Sequence, residues 1–193
     1  MSTKAAQRPA TAGEMSSSAA APTVLVWDVA VRVFHWSLVT VFVAAFLSGD
    51  EWDRFHELAG YTAAALVSFR IVWGFIGTRY ARFSSFVTGP GTFLAYMRDM
   101  RAGKEKRYLG HNPAGAAMIL ALLSGVIALA VTGYMMSLDA YWGAKWLEEV
   151  HETIANGMLV LIALHVGGVV LASLRHGENL VRAMITGRKR MGD

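Results

Sequence analysis

The 193-residue chain contains no cysteine, and only 17% of its residues are charged. Without thiols there can be no disulfide, thiolate zinc site, iron–sulfur cluster or covalently attached c-type haem. Any metal must be held by nitrogen, oxygen or the thioether of one of ten methionines, and the six histidines offer the commoner ligand. A soluble domain carries about 25% charge. With 54% hydrophobic residues and a mean hydropathy of +0.39, this composition excludes a soluble enzyme and predicts an integral membrane protein.

Residues 1–22 are rich in Ala, Ser, Thr and Pro and lack the apolar core of a secretory signal, so they read as a disordered cytoplasmic tail. Residues 23–193 form one domain with four stretches long enough to cross about 30 Å of hydrocarbon: 29–48, 56–77, 113–137 and 150–173. The expected fold is an all-α, four-transmembrane-helix bundle embedded in membrane lipid.

Sixteen of the eighteen basic residues fall on one side of these spans: Lys4, Arg8 and Arg32, the eight from Arg70 to Arg107, and the five from Arg175 to Arg190. Arg54 and Lys145 remain on the other, where the loops carry acids such as Asp53, Glu57, Asp139 and Glu148. The positive-inside rule then puts both termini in the cytoplasm. The net charge of +4 reflects this topology and not a nucleic-acid partner. In the inner connection 78–112, Phe93, Leu94, Met97 and Met100 fall on one side of a helix from Gly91 to Arg101, with Arg98, Asp99 and Arg101 on another, predicting an interfacial amphipathic helix. Asn112 is placed to cap the third span, with Pro113 in its first turn.

Imidazoles in hydrocarbon are costly unless paired or liganded. His151 and His165, 14 residues apart on the fourth span, fall within about 40° of a whole number of turns and so share a face, about 21 Å apart. His35 on the first span lies at about the depth of His165, and His56 at the outer start of the second span matches His151. Two level pairs result. Facing imidazoles separated by the thickness of a haem are what a six-coordinate b-type haem needs, the porphyrin supplying the other four nitrogens. The predicted metal ligands are therefore His35, His56, His151 and His165, around two non-covalent, bis-His haems b. Two histidines per level, with no carboxylate beside His35 or His165, make a poor tetrahedral zinc set. Gly60, Gly157, Gly167 and Gly168 either clear space for a flat macrocycle or serve helix packing.

His111 and His176 fall at the cytoplasmic boundary and read as non-ligands. His176 is either a hydrogen-bond donor to a haem propionate or quinone carbonyl, or a solvated boundary residue. Arg70, late in the second span, is a candidate partner of the inner propionates, as are Arg32 and Arg175, with snorkelling to the surface as the alternative.

The segments VWDVAVRVFHW around His35, HELAGY at His56, RIVWGFIGTRYARF from Arg70, GHNPAG at His111 and HGENL at His176, in this order and spacing, resemble the bacterial cytochrome b-561 family, which includes the b-type subunit of nickel–iron hydrogenases. The likeness runs from Val24 to Arg190. It implies a four-helix cytochrome with two haems b, ligated from the first, second and fourth helices by His35, His56, His151 and His165. It also implies electron transfer between a periplasmic redox protein, such as a c-type cytochrome or a hydrogenase small subunit, and the quinone pool. The quinone would react near the inner haem, where His111, Asn112, His176 and Asn179 offer donors. A self-sufficient superoxide-to-quinone oxidoreductase and a haem-bearing membrane anchor are the alternatives.

Overall fold

The computed structural model describes residues 22–49 and 53–191. The tail expected over 1–22 lies outside the described residues except for Pro22, as do Asp50, Glu51 and Trp52. Six helices follow in order: α1 (Val29–Ser48), α2 (Asp53–Ile76), α3 (Pro90–Arg101), α4 (Pro113–Met136), α5 (Lys145–His176) and α6 (Leu180–Thr186). Of these, α1, α2, α4 and α5 are long and apolar enough to span a membrane. They leave Leu47, Phe75, Ile76 and Leu174 at least 70% exposed, which suits lipid and not water.

The helix ends have local causes. The Asp28 carboxylate accepts from the Val31 amide at 2.8 Å and so caps α1. The same carboxylate accepts from Trp73 Nε1 at 3.1 Å and Thr78 Oγ1 at 2.5 Å, tying the start of α1 to the end of α2. Asn112 caps α4 through a 2.7 Å bond from the Gly115 amide, with Pro113 in the first turn, as the sequence predicts. Gly177 ends α5 in the left-handed conformation at φ 57°, which glycine adopts without strain. The second span begins at Asp53 and the fourth runs from Lys145 to His176, both beyond the apolar stretches at 56–77 and 150–173. Polar turns such as Lys145–Glu149 continue the helical hydrogen bonds outside hydrocarbon, where hydropathy does not register them.

The helices pack in sequence around the bundle, α1 on α2, α2 on α4 and α4 on α5. Among the described residues, α5 makes no comparable close packing with α1 or α2. The core joins Phe34 of α1, Ala63 and Val67 of α2, Leu123 and Val126 of α4, and Met158 of α5. Two glycines permit close approach: a Cβ at Gly74 would collide with the Phe83 ring, and one at Gly125 with Met158 Sδ. The connection between the second and third spans contains α3, matching the predicted helix, with Tyr96 buried and its ring 5.9 Å from that of Tyr108.

An even number of spans returns the described ends of the chain to one end of the bundle. There β1 (Thr23–Leu25) pairs antiparallel with β2 (Arg188–Arg190), Val24 opposite Lys189. Behind the ribbon, Glu178 is only 8% exposed. Its carboxylate meets Arg107 Nη2 at 3.3 Å and Lys189 Nζ at 3.4 Å, and accepts from the Arg190 amide at 3.1 Å. Lys189 Nζ also donates to the Tyr108 carbonyl at 3.2 Å. Burial alone would raise the Glu178 carboxyl, but Lys189, the Arg190 amide and Arg107 outweigh it and hold the group below its ordinary 4.5. A depressed carboxylate contributes stability above its unfolded value and loses it as the pH falls through the folded one. Glu178→Gln should therefore speed amide hydrogen exchange in residues 23–25 and 188–190 at neutral pH. Wild type should show the same loosening only as the pH drops below 4.5, and the variant should lack that acid transition.

Candidate functional site

Three helices and a loop carry the six histidines. His56, in the first turn of α2, donates from Nδ1 to the Ala45 carbonyl of α1 at 2.8 Å, because a carbonyl can only accept. His151, two turns into α5, has its Nδ1 2.7 Å from Thr132 Oγ1 of α4. The Thr132 hydroxyl lies 2.9 Å from the Ala128 carbonyl and 3.2 Å from that of Leu129. With its single proton committed there, its lone pair is free to accept from His151 Nδ1–H. Both rings are thus set in the tautomer that leaves Nε2 unprotonated, the form a metal takes.

The His56 and His151 ring centres stand 6.1 Å apart with their planes at 71°. A metal–imidazole bond of about 2.0 Å, with the ring centre about 1.1 Å beyond its nitrogen, gives about 6.2 Å for two ligands opposite each other on one metal. Among the described residues no three His, Asp or Glu side chains converge on a shared point. The donor set is therefore two imidazoles, which fits a metal whose other four positions are filled by a macrocycle.

His35 and His165 are both half-buried and interact electrostatically across the space between α1 and α5. His35 Nδ1 is enclosed without a hydrogen-bond partner, and the ring meets the edge of Trp36 at 5.0 Å. His56 and His151 are fixed by hydrogen bonds to α1 and α4; the His35 nitrogen is not. Gly60, Gly157, Gly167 and Gly168 have nothing within 4 Å of where a Cβ would stand. Of the two roles the sequence left open for them, close helix packing belongs instead to Gly74 and Gly125.

Arg70 is 3% exposed, so it does not snorkel. Its Nη2 donates to the Ala81 carbonyl at 3.0 Å and its guanidinium covers the Phe83 ring at 5.0 Å, while Nη1 is enclosed with no partner. Among the described residues no carboxylate lies within ion-pair distance of it. A buried cation left so is costly, and the free edge is suited to an acidic group of a ligand. Arg32 is similar, with Nη1 on the Ile185 carbonyl and Nε unpartnered. Arg175 corrects the sequence reading: it is occupied by Glu105 at 2.7 Å and the Met100 carbonyl at 2.8 Å.

His111 lies deeper than its sequence position implies. Its ring sits between Trp27 at 4.4 Å and Phe86 at 4.7 Å, and its Nδ1 is enclosed and unpartnered. Burial, reinforced by Arg70, Lys189 and His165, pushes its pKa down to about 3. It is a neutral group with hydrogen-bonding capacity to spare. His176 is half-buried and within electrostatic reach of Glu105, whose carboxyl the hydrogen bond from Arg175 holds low. The oxygens of Asn112 and Asn179 are used in capping α4 and α6. Sequence reasoning missed Thr132 and the Ala45 carbonyl. Thr132 is one of three hydroxyl side chains on a mostly apolar helix, with Ser124 and Tyr134, and nothing in the sequence singles it out; a backbone oxygen has no sequence signal.

The family model described as prokaryotic cytochrome b561 matches residues 26–187. Similar proteins include three named "Probable Ni/Fe-hydrogenase B-type cytochrome subunit". That of Bradyrhizobium diazoefficiens is 25% identical over 89% of this chain and 88% of its own. That of Rhodobacter capsulatus is 23% identical over 95% and 88%, and that of Cupriavidus necator 24% identical over 94% and 93%.

The enclosure of His111 carries a pH signature. A histidine held neutral by burial makes the unfolded chain bind more protons than the folded one between about 3 and 6.5, so stability rises with pH across that window. In detergent, the thermal midpoint of wild type should fall as the pH is lowered from 6.5. His111→Phe, which keeps the stack on Trp27 and Phe86, should flatten that slope.

Proposed function

The chain belongs to the prokaryotic cytochrome b561 family, and from that membership we propose that it is a di-haem electron-transfer subunit linking a periplasmic redox protein to quinone. His56 and His151 would hold one haem b, and His35 and His165 the other. The observation that carries this reading is the 6.1 Å separation of the His56 and His151 rings, each anchored through Nδ1 to a neighbouring helix. The open flanks at Gly60, Gly157, Gly167 and Gly168 and the unpartnered Arg70 Nη1 support it from the side of the ring and its acidic substituents.

In this reading both ends of the chain face the cytoplasm of a bacterium, the bundle crosses the inner membrane, and α3 lies along the cytoplasmic interface. The basic residues around β2, α3 and the 104–107 loop suit that side, and the helical face with Phe93, Leu94 and Met97 suits lipid. The names of the relatives support a hydrogenase as the redox partner, which this reading puts on the periplasmic side, with a c-type cytochrome as the other candidate of suitable chemistry.

Bound haem supplies a one-electron carrier at each level, about 21 Å apart along α5. The residues of the chain do the rest. His56 and His151 hold their rings with Nε2 available, Ala45 and Thr132 prevent those rings from rotating, and Arg70 and Arg32 neutralise the propionates of the inner group. His111, uncharged at neutral pH and held between Trp27 and Phe86, is the hydrogen-bond partner offered to a quinone carbonyl on the same side. His176 lies next to Glu105 at the rim of that region.

A reduced-minus-oxidised visible spectrum with haem quantification on detergent-purified protein tests the assignment. Wild type should carry two haems per chain, and His151→Ala and His165→Ala should each remove one. Unchanged content in both variants would overturn the assignment. Quinone reduction from superoxide by the isolated chain would replace the partner-dependent reading with that of a self-sufficient oxidoreductase.

A further inference from the structure

We infer that Thr132 is a positioning residue that sets the reduction potential of the outer haem alone, acting through His151. The inference rests on the ligand assignment above and adds to it a role for α4, the one spanning helix that supplies no ligand.

Thr132 is 8% exposed on α4, and its hydroxyl is the hydrogen-bond partner of His151 Nδ1, at 2.7 Å. Its own proton is engaged with the Ala128 carbonyl at 2.9 Å, so at His151 it can act as an acceptor. An acceptor on Nδ1–H draws that proton away from the ring and makes Nε2 a stronger electron donor, which favours the oxidised state of a metal bound there. The ring lies beside α4 at the next residue too: a Cβ at Gly133 would stand in ordinary contact with His151 Cε1, at 3.5 Å. The inner pair differs, because His35 Nδ1 has no hydrogen-bond partner at all. A change confined to the hydroxyl should therefore be felt at one level of the bundle and not at the other.

The experiment is a potentiometric titration of the full-length, haem-loaded chain in detergent, comparing wild type, Thr132→Val and Thr132→Ser, with haem content measured on each. Valine keeps the shape and removes the acceptor; serine keeps the acceptor and removes only a methyl. Thr132→Val should retain two haems and raise one of the two midpoints, leaving the other where it is in wild type, and Thr132→Ser should restore the wild-type pair of values. If valine moves neither midpoint, or moves both equally, or if serine shifts one as far as valine does, the inference fails. If valine loses a haem, serine decides: an intact, unshifted pair supports the role of the hydroxyl, and loss in serine as well overturns it. His151→Ala separates the two levels of the argument. If it keeps both haems, the ligand assignment itself fails and this inference with it. If it loses one while valine moves nothing, only the inference about Thr132 fails.

Discussion

The arrangement of His56 and His151 depends on where two imidazole protons go. His56 gives its Nδ1 proton to a carbonyl at the end of α1 and His151 gives its own to a hydroxyl on α4, so that each ring is held by a helix other than its own. A ring fixed in this way has one nitrogen left, in the protonation state a metal needs. The helices that bear the two rings do not pack closely on each other. The space between them is maintained by α4, which lies against both. In a bilayer the apolar faces of helices gain nothing by leaving lipid for one another. Polar contacts of this kind and the tight approaches at Gly74 and Gly125 therefore have a larger share in defining the bundle than they would in water.

The opposite end of the bundle is organised by polar groups too, though for a different purpose. Asp28 joins the start of α1 to the end of α2, and Glu178 joins the connection before α4 to the last strand. Between them they close a cap over Trp27, His111 and Phe86. The consequence is a half-buried neutral histidine within electrostatic reach of a buried arginine with an unsatisfied edge, a combination that stability alone would not favour. Its persistence makes sense where an acidic or carbonyl-bearing ligand shares the enclosure.

The sequence revealed the four spans because each carries an apolar run that lipid alone explains, and it revealed the start of α4 because Asn112 and Pro113 are local signals. The pairing of His151 with His56 was legible as equal depth on helices of known rise. What the sequence hid depends on tertiary contact. The ribbon of β1 and β2 is three residues long on each strand, too short for an alternating pattern to register. His111 reads as a boundary residue until Trp27 and Phe86, 84 and 25 residues away in the chain, close over it. Arg175 resembles Arg70 in sequence terms, and only the tertiary position of Glu105 gives one of them a carboxylate partner.

The central claim is that both haems are held by imidazole nitrogens on either side. Near-infrared magnetic circular dichroism of the oxidised, purified protein tests it most directly, because the charge-transfer band of a low-spin ferric haem reports the chemistry of its axial ligands. The account expects two low-spin centres per chain, each with the signature of bis-imidazole ligation. A thioether signature from one of the methionines, or a high-spin centre with one axial position lacking a protein ligand, would contradict it.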